Sequence, residues 1–187
     1  FTNTADPLFM FGAVAVGMFG YPQLGMTIAL AHYLAAFSVG VIFRFYGREP
    51  QKAEPEREKI GLLRRAVQRL YQARREDNRP LGQLIGDAVK ESISTLFMIG
   101  GFIILFSVVC RVLEEIGLFQ ALLPAVGRLL KIFGLEPVLA GPLLKGIMEI
   151  DLGVMAAARQ AAASLADRVV LAGAIIAWSG LSVHGQV

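Results

Sequence analysis

Cysteine is almost missing from this sequence. Cys110 is the single one among 187 residues, so no intrachain disulfide can form and no paired-thiol redox motif exists. Its apolar neighbours favour a packed core residue over a reactive thiol. Catalytic signatures are missing too, with no H-E-x-x-H, no G-x-S-x-G and no phosphate-binding loop. An enzyme is therefore the least supported class, and no catalytic residue, cofactor or metal site is expected. Charge is scarce outside one stretch. Eleven of the eighteen basic residues fall between Arg44 and Arg79, leaving long apolar runs on either side. A soluble protein spreads charge over its surface, whereas a membrane protein confines it to loops.

Hydrophobic residues make up 55% of the chain, too much for an ordinary soluble domain. The net charge of +3 does not point to nucleic acid. Glu49, Glu54, Glu56, Glu58, Glu76 and Asp77 interleave the basic stretch, and no nucleic-acid motif accompanies it. The arginine excess instead places that stretch on the cytoplasmic side of a bilayer. The chain opens on Phe1 and closes inside an apolar region, and reads as an excerpt of a longer protein.

Hydrophobic runs give the organisation. Segment 8–20 is helix-like but too short to cross about 30 Å of hydrocarbon, and a turn at 21–24 follows it. Segment 24–45 is long enough, with His32 and Tyr33 as its most polar point and an aromatic, cationic anchor at its end. Packing or an interhelical hydrogen bond is the favoured role for His32. Glu49-Pro50 and Glu54-Pro55 then break structure. Over 60–75, Ile60, Leu63, Val67, Leu70 and Tyr71 are expected to share one helical face opposite Arg64, Arg65, Arg69 and Arg74. Such a helix suits either an anionic membrane surface or a solvated position against other loops. An approach helix over 81–94 leads into a second span, 93–112, where Gly100 and Gly101 favour close helix approach or a kink. Segment 117–133 is amphipathic. In 136–163 the apolar pieces 137–144 and 147–158 are too short to span and are separated by Lys145-Gly146. A last apolar stretch, 169–178, runs into 179–186.

Three polar interruptions remain: 2–7, 145–151 and 179–186. Irregular backbone survives at membrane depth only inside protein or beside a water-filled cavity. Short apolar half-segments meeting at polar breaks are the mark of a transporter binding site. N–H groups at half-helix starts can hold an anionic or polar solute, and carbonyl ends a coupling cation. The candidate substrate-binding residues are Asn3, Thr4, Asp6, Glu149, Ser179, Ser182, His184 and Gln186. Asp6-Pro7 fits an N-cap followed by the first helical position. Lys145 lies four residues before Glu149, an ion-pair spacing that competes with a site role for the carboxylate.

These residues carry a resemblance. TNTADPLFMFGAVAVGMFG, HYLAAFSVGVIFRFYG, IGGFIILFSVV, GIMEIDLG and WSGLSVHGQV are together similar to the YlbJ family of sporulation integral membrane proteins. From about Leu84 onward the chain resembles the nucleoside-recognition Gate domain of that family. Asp151 stands where the family commonly has Thr, so the likeness carries over Glu149 and not Asp151. The resemblance implies a transporter moving dipicolinic acid across the outer forespore membrane, with relatives among concentrative nucleoside transporters. The expected fold is an all-α polytopic membrane protein with broken helices, re-entrant hairpins and inverted repeats. Its parts are the end of an N-terminal membrane half (1–46), a basic loop on the cytoplasmic, mother-cell side (47–83) and a Gate-like membrane domain (84–187). The expected partners are a small-molecule substrate, the lipid bilayer, a coupling cation and further copies of the chain. A sporulation scaffold or sensor acting through the basic loop is the competing class.

Overall fold

The structure is a computed structural model that describes residues 4–46, 62–77 and 79–186. Among the described residues every regular element is helical. A π-helix, Phe9–Met18, is followed by α1 (Leu24–Arg44), α2 (Leu62–Asp77) and α3 (Leu81–Glu115). Then come α4 (Leu118–Ile132), a single 3-10 turn (Pro137–Leu139), α5 (Ala140–Met148) and α6 (Ile150–Ala158). The last two are α7 (Leu165–Trp178) and α8 (Gly180–His184). The chain divides into two compact units, one of residues 1–43 with 98–187 and one of residues 44–97.

Three stretches are long and apolar enough to cross a bilayer: Leu24–Arg44, Leu81–Glu115 and Leu165–His184. The all-α polytopic membrane class is thus the observed one. The third stretch is interrupted at Ser179, where the backbone turns left-handed. The approach helix and second span expected separately over 81–112 are one continuous 35-residue helix. Gly82, Gly86 and the charges at Asp87, Lys90 and Glu91 lie on exposed turns, where none of them forces a break. The close approach expected at Gly100 and Gly101 is not formed. Nothing lies within 4 Å of where either Cβ would be, and the helix continues past them to Glu115.

In the first unit the short π-helix folds back on α1 through the turn at 19–23, with Gly20 at φ +71°. Its wide i→i+5 ring is seen where the Phe19 N–H donates to the Val14 carbonyl, 2.9 Å away. The Phe11 ring lies over Gly25, 2.5 Å from the point a Cβ would occupy. Only glycine lets the two segments close. Met10 and Val14 of the π-helix, Val154 and Ala157 of α6, and Leu171 and Ile175 of α7 are fully or almost fully buried in one apolar core. That core holds the broken helices together.

In the second unit α2 follows the expected amphipathic segment, displaced two residues toward the C-terminus. The Pro-rich part of the basic loop and Ile60 lie outside the described residues.

Candidate functional site

The first break is the extended strap Thr4–Asp6. Its backbone is held by adjacent residues of α1: the Ala5 N–H donates to His32 Nε2 at 3.0 Å, and the Tyr33 hydroxyl donates to the Ala5 carbonyl at 2.9 Å. His32 accepts at Nε2, so its ring is neutral with the proton on Nδ1. This is the hydrogen-bonding role expected for it. Asp6 Oδ1 accepts the Leu8 N–H at 2.5 Å, and Pro7 follows as the first residue of the helical turn.

The second break is a helical hairpin. Helices α5 and α6 run back along each other and turn on one residue, Glu149, whose φ and ψ are −149° and 128°. The break thus falls on Glu149, within the expected interruption 145–151. Lys145 and Gly146 stay inside α5 because the last α5 hydrogen bond, Glu149 N–H to the Lys145 carbonyl at 2.8 Å, is intact. So close a turn is possible because Gly146 faces Gly153. A Cβ on Gly153 would collide with the Gly146 Cα and nitrogen. Glu149 is 1% exposed, and its Oε2 accepts the Leu152 N–H at 2.7 Å, capping α6. The i,i+4 pair with Lys145 does not form. Lys145 Nζ instead pairs with Glu114 Oε1 of α3 at 2.9 Å.

The third break joins α7 to α8 through Ser179 and Gly180, with φ of +69° and +75°. Gly180 presses on the tip of the hairpin: a Cβ there would lie 3.0 Å from the Ile150 nitrogen and 3.2 Å from the Glu149 Cα. Both the left-handed backbone and the contact require glycine. The Trp178 indole N–H donates to the Ile147 carbonyl at 3.1 Å, fixing the end of α7 to the end of α5. His184 Nδ1–H donates to the Gly180 carbonyl at 2.7 Å, and its ring stacks on Trp178 with centroids 5.0 Å apart.

The three breaks, far apart in sequence, open onto one cleft of about 360 Å³. Thr4 and Asp6 line it from the strap, Glu149 and Asp151 from the hairpin, and Ser179, Ser182 and Gln186 from the last break. Phe9, Ile99, Ile103 and Val183 supply apolar wall. Ser182 is 1% exposed, yet its residue faces this cleft. His184, expected among these residues, is not in the lining and serves the helix end instead. Asn3 lies outside the described residues. Asp151, set aside on the resemblance, does line the cleft, and its place beside Glu149 was the signal for it. Ile99 and Ile103 carried no signal beyond their i,i+4 spacing on α3.

The cleft is rich in acceptors, and its donors are neutral. Among the described residues its lining holds three carboxylates, three hydroxyls and one amide, and no Lys, Arg or His. The N–H groups of Leu8 and Leu152, near the two half-helix starts, are already engaged by Asp6 and Glu149. At each of these starts one of the N–H groups expected to be open to a solute is thus already occupied. Among the described residues no three His, Cys, Asp or Glu side chains gather closely enough to hold a metal ion.

Comparison with known proteins agrees with the motifs. Residues 96–185 match the Gate family, described as nucleoside recognition. That match takes in the second and third breaks, while the strap at Thr4–Asp6 lies outside it. Over its whole length the chain is 41% identical, across 189 aligned residues, to the sporulation integral membrane protein YlbJ of Bacillus subtilis (strain 168). The chain spans 46% of that relative, less than half its length. No solved structure matches the chain.

Proposed function

From a chain similar throughout to a sporulation integral membrane protein, we infer a multi-pass transporter of a small heteroaromatic solute, acting in endospore formation. The observation that supports this is the convergence of three separate polar breaks on one cleft inside an otherwise apolar protein. Buried polar groups in such a setting are costly unless they are partnered or used. A scaffold has no need to bring a strap, a hairpin tip and a broken helix to one place.

Dipicolinic acid is the substrate we propose, and the lining constrains its form. Two ionised carboxylates of a solute would face Asp6, Glu149 and Asp151 with no cation among the described lining residues to offset them. The solute is therefore taken protonated, or together with a cation that the same carboxylates can contact. Phe9, Ile99 and Ile103 offer apolar wall for its ring. The carboxylates also favour a second reading, a nucleoside, whose hydroxyl and amide donors match an acceptor-rich cleft. Repeats of inverted topology and a location in the outer forespore membrane belong to the same proposal.

The test uses the full-length protein in proteoliposomes, with labelled dipicolinic acid and labelled nucleosides offered separately. We expect saturable dipicolinic acid uptake that grows as the outside pH falls or as a counter-cation is added. Ser182→Ala and Asp151→Asn should each weaken it without loss of protein from the membrane. Nucleoside uptake alone would replace the substrate. No uptake of either, together with failure of sporulation on deleting 52–75, would favour the scaffold.

A further inference from the structure

We propose that α2 is a lipid-binding helix, seated on the anionic membrane surface beside the foot of α3. The inference is independent of the solute cleft and concerns the other compact unit.

Helix α2 has two unlike faces. Leu63, Val67, Leu70 and Tyr71 fall on one side at helical spacing, and all four are exposed, between 58 and 83%. A soluble helix buries such a stripe against its own core. Arg65 and Arg69 occupy the opposite arc, Arg64 and Arg75 border the stripe on its Tyr71 side, and none has an ion-pair partner among the described residues. An apolar stripe flanked by unneutralised arginines matches the acyl boundary and headgroups of an anionic bilayer. An acidic protein partner would satisfy the arginines but would leave the apolar stripe exposed.

The C-terminal end of the helix supplies an independent argument. Arg79 binds Asp77, the last residue of α2, through both carboxylate oxygens, and reaches Asp87 of α3 with a 2.8 Å hydrogen bond. The hydrogen bond from Arg79 holds the Asp77 carboxyl below its usual range, so the clip persists at ordinary pH. Arg74, expected opposite the stripe, lies within the apolar arc at about 100° per residue, yet its guanidinium is turned to donate to the Arg79 carbonyl at 2.9 Å. The one cation that would spoil the apolar face is thereby drawn aside. Asp87 also fixes the depth. At 1.5 Å per residue the 35 residues of α3 extend roughly 50 Å, well beyond a hydrocarbon core of about 30 Å. The charged turns around Asp87, Lys90 and Glu91 therefore stand at the headgroup level, and the clip holds the end of α2 there.

The test is site-directed spin labelling of a cysteine-free, full-length protein at Leu63, Val67, Gln68, Leu70, Tyr71 and Gln72, reconstituted in lipid vesicles. Collisions with oxygen report lipid, and collisions with a nickel chelate report water. In vesicles rich in phosphatidylglycerol, the four apolar positions should favour oxygen while Gln68 and Gln72 favour nickel. Replacing Arg64, Arg65, Arg69 and Arg75 by Gln, or using phosphatidylcholine alone, should weaken that pattern while α2 stays helical. Nickel access at every position would overturn the proposal in favour of a solvated helix. Shielding of the apolar positions from both reagents would overturn it in favour of a protein partner. An identical pattern in both lipids would remove the role of charge.

Discussion

At position 149 the backbone leaves helical geometry, and the side chain there returns to accept the Leu152 N–H. A carboxylate 1% exposed, with its one well-spaced lysine drawn away to Glu114, is costly to keep for capping alone. An amide would cap nearly as well, so capping and charge can be separated. Glu149→Ala should lose both, lowering stability by about 1 kcal/mol through the cap and abolishing uptake. Glu149→Gln retains an acceptor and should melt close to the native temperature in detergent, yet transport poorly. Paired melting and uptake measurements check this. If Glu149→Gln transports normally, the carboxylate is structural. Much of this was legible beforehand, because an acidic side chain between two short apolar segments is conspicuous. His184 was equally conspicuous and is used differently. Its ring is claimed by Trp178 and the Gly180 carbonyl, and those contacts exist only once the helix has broken at Ser179.

Elements were harder to read than residues, and the glycines show why. Gly100 and Gly101, adjacent in a long apolar run, suggested close packing and meet nothing. Gly146 and Gly153 carried no such signal and are pressed together at the hairpin. Seven residues apart on one helix they would lie about 10 Å from each other, and only the reversal at Glu149 makes them neighbours. The contact thus follows from a turn, and the sequence marks the turn to within a few residues. Conversely, the approach helix over 81–94 and the span over 93–112 are one helix, since exposed helical positions tolerate the charges at 87–91. Gly153→Ala tests the hairpin directly. Its methyl would meet backbone, which cannot rotate away, so a loss on the order of 3 kcal/mol is expected. Gly100→Ala, with nothing within 4 Å, should be neutral or slightly stabilising. Melting curves of the two variants, side by side, distinguish a required glycine from an incidental one.

For the whole molecule the distribution of charge predicts an orientation. Arginines crowd the segment between α1 and α3, and excess Lys and Arg stay on the cytoplasmic side. The opposite end of α3 carries a balanced cluster instead. Arg111 pairs with Glu115 at 2.6 Å, and Glu114 pairs with Lys145 at 2.9 Å, so little net charge opposes translocation there. If α3 crosses the bilayer, Gln72 and Ile116 are expected on opposite sides of the membrane. Both are exposed, which makes them suitable for labelling in a cysteine-free background of the full-length protein. An impermeant maleimide added to intact cells should modify Ile116→Cys at once and Gln72→Cys only after permeabilisation. The reverse result would invert the protein and place the basic segment outside. Labelling of both from one side would mean that α3 does not span, and the carboxylate-lined cleft would then need a different relation to the bilayer. With the orientation as argued, Glu114 and Lys145 tie the hairpin to the non-cytoplasmic end of α3. The hairpin would accordingly enter the membrane from that side, with its Glu149 tip reaching toward the middle of the bilayer, the depth at which a solute passing in either direction must meet it.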